Sequence, residues 1–156
     1  KAYRKIAHKI PQKLVIAGNG DVEWLKKGDL GEPGIVEYAG YVSNKEANKL
    51  LSTAALFVFP SFYEGFGFPP LEAMARGCPV VVSNTASLPE VCGKAAIYAD
   101  PYDADSIPKS MLKVLLNETL QRHLIKAGFK RARRFNWSRS ATQHQQVFDF
   151  IAKGMK

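Results

Sequence analysis

Short apolar runs alternate with helical segments along most of this chain, and this alternation constrains the fold more than any other feature of the sequence. The runs are rich in β-branched or aromatic residues, and most of them end at Gly, Pro, Asp or Ser. They are Leu14–Ala17, Ile35–Ala39, Ala55–Phe59, Val80–Val82 and Ala95–Ala99. Strands of a parallel sheet that is covered on both faces have this nearly continuous apolar character.

Helix signals fill the intervals between the runs. The clearest is Ser43 followed by Glu46 three residues later, a capping box that predicts a helix start. The other predicted helices are Asp21–Lys27, Pro69–Gly77, Pro89–Gly93, Asp103–Leu116, Thr119–Arg134 and Ser138–Lys153. Strand–helix alternation followed by three helices predicts an α/β fold, a Rossmann-like doubly wound parallel sheet with a helical C-terminal tail.

The length of 156 residues is that of one domain, and 46% hydrophobic residues suffice for an ordinary core. The chain does not begin with Met. It opens in a helical pattern in which Ala2, Ile6 and Ile10 recur at near-helical spacing. We therefore expect residues 1–156 to be one domain, truncated at its N-terminus.

The net charge of +8 favours anionic partners, namely phosphates, nucleic acid or an acidic membrane surface, and charge alone does not choose among them. No apolar run approaches the roughly 18 residues that span a bilayer, and the start has no apolar segment typical of a signal peptide. Cys78 and Cys92 form neither a disulfide framework nor a metal cluster. We expect both to be buried, reduced thiols in a cytoplasmic protein.

The most informative stretch for function runs from Pro60 to Gly77, after a predicted strand and into a predicted helix. Ligands of doubly wound folds bind beyond the carboxyl ends of the strands, where such loops lie. Gly65 and Gly67 let the backbone approach a ligand closely and adopt positive φ. Their N–H groups, beside a helix N-terminus, can hold a phosphate or a negatively charged substituent of a sugar.

Two carboxylates flank this proposed site. Glu64 precedes the turn, and Glu72 is predicted in the first turn of the helix. A carboxylate accepts hydrogen bonds from vicinal hydroxyls of a sugar or a ribose. The structural alternative is that Glu72 complements the helix dipole or pairs with Arg76, and that Glu64 is a solvated loop acid. Residue chemistry alone leaves both interpretations open.

Glu64 and Glu72 are separated by seven residues that include Gly-Phe-Gly-Phe-Pro. This spacing resembles the E-x7-E signature of group-1 (family 4) retaining glycosyltransferases, which have the GT-B fold. Further segments that resemble this family, in the same order along the chain, are Leu14–Asp21, Tyr38–Ser43, Val58–Ser61, Gly77–Val81, Ser83, Leu88–Val91 and Ala99–Pro101. The resemblance implies that the chain is the C-terminal, donor-binding half of such an enzyme.

The resemblance also implies roles for single residues. Glu64 is expected to touch the donor sugar near the reacting carbon and to act as the catalytic residue. Gly65, Phe66 and Gly67 are expected to offer backbone N–H groups to the sugar and its phosphate, and Glu72 to hold the ribose hydroxyls.

Two further segments are expected to border the donor. Tyr41 and Val42, after the third family strand, resemble the segment beside the nucleotide base, and Gly18 and Gly20 lie on a turn that faces the cleft. Glu90 recurs in the matching motif, but an acid just after Pro89 suits a helix dipole, so we favour a structural role for it.

The implied reaction is transfer of a sugar from a nucleoside diphosphate sugar to a hydroxyl acceptor with retained configuration, in polysaccharide or glycolipid biosynthesis. No cofactor and no metal site is expected, since the histidines of the chain lack metal-like spacing and the GT-B enzymes that it resembles generally use no bound metal. Alternatives are another GT-B enzyme, such as a nucleotide-sugar epimerase or a phosphorylase, or a non-catalytic domain that binds anions or nucleic acid. We expect no nucleic-acid partner, because aromatic residues do not interleave with Lys and Arg as a stacking platform.

Two surfaces have open interpretations. A basic cluster on the second tail helix is either a solvated helix face or a surface that attracts an anionic membrane, which would place the protein at the inner face of the membrane. It comprises Lys126, Lys130, Arg131, Arg133 and Arg134. An apolar stripe on the last helix is either core packing or an interface with the missing N-terminal, acceptor-binding domain. It comprises Trp137, Ala141, His144, Val147, Phe148 and Ile151.

The family's domain opens with a strand that is not recognisable here; residues 1–10 resemble the end of the helix after it. In a sheet of order 3-2-1-4-5-6 that strand is central. Leu14–Ala17 and Ala55–Phe59 would then lose their shared neighbour. We expect either that these two strands close the gap or that another chain's strand fills it, for example in a dimer. We also expect the fragment alone to be inactive.

Overall fold

The computed structural model describes residues 1–20 and 35–154, and five strands lie within them. The strands are β1 Leu14–Ala17, β2 Val36–Gly40, β3 Phe57–Phe59, β4 Val80–Ser83 and β5 Ile97–Ala99. Each apolar run that the sequence marks out is a strand, with ends shifted by no more than two residues. The predicted helix Asp21–Lys27 falls outside the described residues.

The strands form two parallel sheets, one of order β1-β2 and one of order β3-β4-β5. Val15 is opposite Glu37 in the first sheet, and Val81 is opposite Val58 and Ile97 in the second. β1 and β3 belong to different sheets, so the expectation that these two strands close the gap between them is wrong. The expectation that another chain's strand fills the gap stays a prediction.

Six α-helices occur within the described ranges, and three of them follow β5 as the predicted tail. The helices are α1 Asn44–Thr53, α2 Phe68–Ala75, α3 Leu88–Cys92, α4 Ser106–Leu115, α5 Glu118–Ala132 and α6 Trp137–Gly154. The capping box at the start of α1 is confirmed: the Glu46 carboxylate accepts from the Ser43 N–H at 2.8 Å, and the Ser43 hydroxyl accepts from the Glu46 N–H at 3.3 Å. These bonds satisfy two N–H groups that the helix leaves unpaired.

The helical pattern predicted at the start of the chain corresponds to 3-10 helix and not to α-helix. Residues 3–9 form two 3-10 helices, Tyr3–Lys5 and Ala7–Lys9. Tyr3, Ile6 and Ile10 are buried; the three-residue step from Tyr3 to Ile6 matches the turn of a 3-10 helix, and Ile10 lies just after the second of these helices. Their apolar cluster includes Leu14 of β1 and Val58 of β3, so this segment packs against both sheets.

The core is centred on β4. All four residues of this strand are buried, and Val80, Val81 and Val82 are no more than 1% exposed. Val80 and Val82 pack in the cluster that contains Met74 of α2, whereas Val81 packs in the cluster that contains Val114 of α4. A strand covered on both faces is what the apolar run predicts, and each buried valine stabilises the fold by roughly 1.5–3 kcal/mol.

The last helix, α6, has no buried residue in the described structure. Its apolar side chains are open to solvent: Trp137 and Phe150 are each 79% exposed, and Phe148 is 61% exposed. Core packing within this chain is therefore the wrong interpretation of the predicted stripe, and an interface with another domain stays a prediction. Among the described residues, no helix combines the length and the apolar character needed to cross a membrane.

Candidate functional site

The candidate residues cluster at the carboxyl ends of the strands, in two groups. Gly18, Gly20, Tyr41 and Val42 follow β1 and β2 in the first sheet. The loop 60–67 follows β3, beside the residues that follow β4 in the second sheet. Since the strands in each sheet are parallel, the loops of a group leave from the same edge, which is where ligands bind in this class of fold.

In the first group, backbone hydrogen bonds join the two strand ends. The Gly18 N–H donates to the Gly40 carbonyl at 2.8 Å, and the Tyr38 hydroxyl donates to the Gly18 carbonyl at 2.8 Å. The Gly18 N–H is therefore engaged within the protein. Tyr41 is 77% exposed, so its ring offers a free surface beside the strand end, and Val42 is half-buried.

In the second group, Glu64 is half-buried and directly precedes Gly65, which is exposed. A Cβ built on Gly65 would meet no atom within 4 Å, whereas one on Gly67 would lie 2.7 Å from Leu88 Cδ2. Gly67 has a φ of 101°, while Gly65 is not among the residues with positive φ. The expectation of positive φ is confirmed for Gly67 and wrong for Gly65, which the loop holds in an ordinary conformation.

Gly67 is the N-cap of α2, and two prolines follow Phe68 at the helix start. Prolines have no N–H, so Pro69 and Pro70 remove two of the donors that a helix start leaves unpaired. No side chain caps this helix. The donors closest to the helix start are therefore the N–H groups of Gly67 and Phe68, at the positive end of the helix dipole.

Aromatic contacts connect this loop to the C-terminal helices. The Phe66 ring lies 4.7 Å from the Phe68 ring and 5.7 Å from the Phe135 ring, measured between centroids. The Phe68 ring in turn lies 6.4 Å from that of Trp137, the first residue of α6. The Phe66 side chain thus packs against other aromatic rings, and only the Phe66 backbone is left for the predicted contact with a sugar donor.

Glu72 is the fifth residue of α2, so the prediction that it lies in the first turn is wrong: the helix begins at Phe68, before the proline pair. Its side chain is exposed. The Arg76 guanidinium donates to the Glu72 backbone carbonyl at 2.8 Å and to the Asn48 side chain. Arg76 thus holds α2 against α1 through the Glu72 main chain.

Glu72 also lines an open cavity of about 640 Å³ between α2 and the junction of α5 and α6. Four arginines and four aromatic residues line it as well: Arg76, Arg131, Arg134, Arg139, Phe66, Phe68, Phe135 and Trp137. Glu64 is not part of this lining. The two candidate glutamates therefore have different surroundings, one on the loop after β3 and the other beside a basic and aromatic cavity.

Sequence reasoning missed Ser87, in the loop between β4 and α3. Its hydroxyl Oγ lies 2.8 Å from the Glu64 carbonyl and 2.9 Å from the Phe66 carbonyl. The neighbouring Thr85 hydroxyl donates to the Ser61 carbonyl at 3.4 Å. A sequence pattern gives no signal for these contacts, because they join segments more than 20 residues apart that meet only when β3 and β4 pair.

The structural role favoured for Glu90 agrees with its position in the first turn of α3. Arg131, a member of the basic cluster, donates to the backbone carbonyls of Glu90 and Val91 and lies 5.1 Å from the Phe135 ring centroid. Arg131 is half-buried and has a structural role, so the interpretation of the basic cluster as a solvated helix face does not hold for this residue. Lys126, Lys130, Arg133 and Arg134, the other members of the cluster, are exposed.

Both cysteines are buried and free. Burial raises the pKa of the Cys78 and Cys92 thiols to about 11, so both are protonated at neutral pH and neither is an activated nucleophile. His8, His123 and His144 are exposed, and within residues 1–20 and 35–154 no group of His, Cys, Asp and Glu could hold a metal ion.

Residues 1–131, most of the chain including the strands and loops described above, match the model of the family "Glycosyl transferases group 1". The chain belongs to the group-1 glycosyltransferase family. O-antigen chain mannosyltransferase B of Escherichia coli is 42% identical over 142 residues, which are 88% of this chain and 37% of that protein. This chain therefore spans less than half the length of that relative.

Solved structures agree with this membership. Sucrose-phosphate synthase from Thermosynechococcus elongatus matches with a TM-score of 0.79 and 27% identity, over 98% of this chain and 42% of that one. Anabaena HepE, solved in complex with UDP-glucose, matches with a TM-score of 0.72 and 19% identity, over 97% of this chain and 44% of that one. The predicted Rossmann-like α/β fold, which is the GT-B type, is thereby confirmed.

Proposed function

We propose that this chain is the donor-binding, C-terminal half of a retaining family 4 glycosyltransferase. The complete enzyme would transfer a sugar from a nucleoside diphosphate sugar to a hydroxyl acceptor. The observation that carries the proposal is the loop between β3 and α2: it places a half-buried carboxylate and two glycines at the start of a helix, within the matched residues. The E. coli relative is an O-antigen chain mannosyltransferase, which supports a role in polysaccharide or glycolipid biosynthesis.

Glu64 is the proposed catalytic residue and the first glutamate of an E-x7-E motif. Its carboxylate would hold the donor sugar and stabilise the positive charge that develops at the reacting carbon when the bond to the diphosphate breaks. A preorganised charge in such a position stabilises the transition state more than the ground state. Glu64 is not proposed as a nucleophile.

The N–H groups of Gly65, Phe66 and Gly67 would bind the sugar and its phosphate. Gly65 supports this role because it is exposed and has free space where a side chain would stand. Gly67 supports it because it caps α2, where the helix dipole favours negative charge. As the diphosphate leaves with its negative charge, these donors would stabilise it.

Glu72 would hold the ribose hydroxyls as the second glutamate of the motif. Its side chain is exposed, and its backbone is fixed by Arg76, so the carboxylate is available to a ligand. Tyr41 and Val42 would border the base, and the exposed Tyr41 ring is suited to stacking. Gly18 and Gly20 would let the backbone come close to the ligand. Since the Gly18 N–H already donates to the Gly40 carbonyl, Gly18 would contribute space and no hydrogen bond to the ligand.

The missing N-terminal domain would bind the acceptor. The chain covers only 37% of the E. coli relative, which leaves room for such a domain in a protein of that kind. The exposed apolar face of α6 is a surface that this domain could cover. We further propose that the chain alone is inactive and that the enzyme is cytoplasmic. Attachment to an anionic membrane surface and dimerisation through the open sheet edge stay predictions.

The division of roles between the glutamates can be tested by calorimetry on the complete enzyme. Glu72→Gln is expected to weaken binding of both the free nucleoside diphosphate and the sugar nucleotide, since both carry the ribose. Glu64→Gln is expected to weaken only the sugar nucleotide. UDP-glucose with UDP and GDP-mannose with GDP are suitable pairs of probes. Equal losses in both variants for the free nucleotide would refute the assignment.

A salt series separates this proposal from the nucleic-acid alternative. Oligonucleotide binding through a basic surface weakens steeply as salt rises, because it depends on counterion release. Nucleotide-sugar binding in a shaped site should change little over the same range of salt concentration and should be weaker in the Glu64 and Glu72 variants. Tight, salt-dependent oligonucleotide binding without measurable nucleotide-sugar binding would favour the alternative.

A further inference from the structure

We propose that Ser87 is a positioning residue that directs the N–H groups of Gly65 and Gly67 toward the donor. The inference rests on the proposed function and adds a residue that has no expected contact with the ligand. The observation behind it is that one hydroxyl reaches two backbone carbonyls of the loop, those of Glu64 and Phe66.

The distances show how closely the loop is held. Ser87 Oγ lies 2.8 Å from the Glu64 oxygen and 2.9 Å from the Phe66 oxygen, at sites 23 and 21 residues away in sequence. A hydroxyl has one proton, so it donates to the two carbonyls in turn or shares the proton between them. Both carbonyls are thereby drawn toward the same atom, on the side of the loop that faces the β4–α3 segment.

Peptide geometry then fixes the opposite side of the loop. The carbonyl of Glu64 and the N–H of Gly65 belong to one peptide unit, and the carbonyl of Phe66 and the N–H of Gly67 belong to another. The described residues have no cis peptide bond, so in each planar unit the N–H points away from the carbonyl. By holding the two carbonyls, Ser87 turns both N–H groups away from itself. The space beside Gly65 is open, since a Cβ built on this residue would meet no atom within 4 Å.

The segment that carries Ser87 is itself held firmly. Leu88 is fully buried and packs under Gly67, and the Thr85 hydroxyl donates to the Ser61 carbonyl at 3.4 Å. Between them, Ala86 has a φ of 51°, a left-handed conformation that a residue with a side chain rarely adopts. This turn presents the Ser87 hydroxyl to the loop. The β4–α3 segment therefore supports the loop between β3 and α2, and Ser87 makes the polar contact with that loop.

The inference predicts a specific defect when the hydroxyl is lost. Ser87→Ala leaves both carbonyls without this donor, so the two peptide units can rotate and the N–H groups lose their common direction. We expect the affinity of the complete enzyme for the sugar nucleotide to fall about tenfold, the effect of one neutral hydrogen bond. The affinity for the free nucleoside should not change, because the nucleoside does not reach the loop. Ser87→Thr keeps a hydroxyl and should restore binding to within about threefold.

The experiment measures binding of UDP-glucose and GDP-mannose, and of uridine and guanosine, by calorimetry on the complete enzyme, alongside thermal melting. Ser110→Ala is the control, since Ser110 is a buried serine that, like the half-buried Ser87, donates its hydroxyl to a backbone carbonyl, here that of Tyr98 at 3.3 Å. It should leave sugar-nucleotide affinity unchanged. Amide shifts of Gly65 and Gly67 on adding the sugar nucleotide should be large in the wild type and reduced in Ser87→Ala.

The outcomes are distinguishable. Unchanged sugar-nucleotide affinity in Ser87→Ala would overturn the inference, as would a lower melting temperature with unchanged affinity per folded molecule, which indicates a purely structural serine. Failure of the wild-type enzyme to bind any sugar nucleotide would overturn the proposed function and this inference with it. Loss of affinity in Ser87→Ala, recovery in Ser87→Thr and no loss in Ser110→Ala would support both.

Discussion

Gly67→Ala is expected to destabilise the fold, whereas Gly65→Ala, two residues earlier, is not. Gly67 has a φ of 101° and is buried, and a Cβ at this position would stand 2.7 Å from Leu88 Cδ2. Leu88 has no exposed surface and sits in the core cluster with Met74, so its side chain cannot move aside freely. A Cβ on Gly65 meets nothing within 4 Å.

The magnitude follows from two separate costs. A non-glycine residue in the left-handed region costs roughly 1–2 kcal/mol. Overpacking a core position costs about 1–3 kcal/mol more. The sum of roughly 2–5 kcal/mol corresponds, for a domain of this size, to a fall of about 5–15 °C in melting temperature. Gly65→Ala should change the free energy of unfolding by less than about 1 kcal/mol, since it meets neither obstacle.

Thermal melting of both variants, combined with calorimetric titration of the sugar nucleotide into the complete enzyme, separates folding from binding. Gly65→Ala should keep the melting temperature and weaken binding, because its methyl group occupies the space through which the donor approaches the backbone. A Gly67→Ala variant that melts at the wild-type temperature would refute the packing argument. A Gly65→Ala variant that binds normally would refute the close approach of the ligand.

Three further predictions concern other parts of the chain. Arg131→Ala should lower the free energy of unfolding by about 2–4 kcal/mol, measured by chemical denaturation, because two backbone carbonyls lose a charged donor. Arg133→Ala, at an exposed neighbouring position, is the control and should change the free energy of unfolding by no more than about 0.5 kcal/mol. Burial raises the pKa of the Cys78 and Cys92 thiols from 9.0 to about 11, so the folded state keeps these protons to higher pH than the unfolded state does. The free energy of unfolding should therefore fall as the pH rises from 9 to 11. Replacing both cysteines by alanine should reduce the fall of the denaturation midpoint over that range. Phe148→Asp should leave the melting temperature of this chain within about 2 °C, since that side chain is exposed, but should lower that of the complete enzyme if α6 packs against the proposed N-terminal domain.

The strands were predictable because each carries a short apolar run, and the central strand β4 is covered by helices on both faces. Val80, Val81 and Val82 illustrate this, with two facing one layer of helices and the third facing the other. The helix start at Ser43 was predictable because a capping box is a local pattern, in which both partners lie within one turn.

Other features depend on contacts that a local pattern does not encode. The spacing of Ala2, Ile6 and Ile10 indicates a helix, but the segment packs against both sheets and forms two short 3-10 helices. Glu72 lies one residue further into α2 than predicted, because the helix begins at Phe68, before the two prolines. The exposure of α6 could not be predicted from its stripe, since an apolar face looks the same whether it packs inside a domain or against another one.

The candidate site shows the same limit. The position of Glu64 before Gly65 and Gly67 follows from sequence alone, as does its place after a strand. The contacts that hold this loop do not, because Ser87 reaches it from 23 residues away and Leu88 closes the space at Gly67. The residues expected to meet the ligand are thus local in sequence, whereas the residues that orient them come from the segment that follows the next strand.

The most direct test of the central claim is a crystal structure of the complete enzyme with a bound nucleoside diphosphate sugar. We expect the Glu64 carboxylate to lie within hydrogen-bonding distance of a sugar hydroxyl. The N–H groups of Gly65 and Gly67 should face the sugar or its phosphate, and Glu72 should contact the ribose. A nucleotide bound elsewhere, such as among the arginines beside α6, with Glu64 out of reach of the sugar, would contradict it.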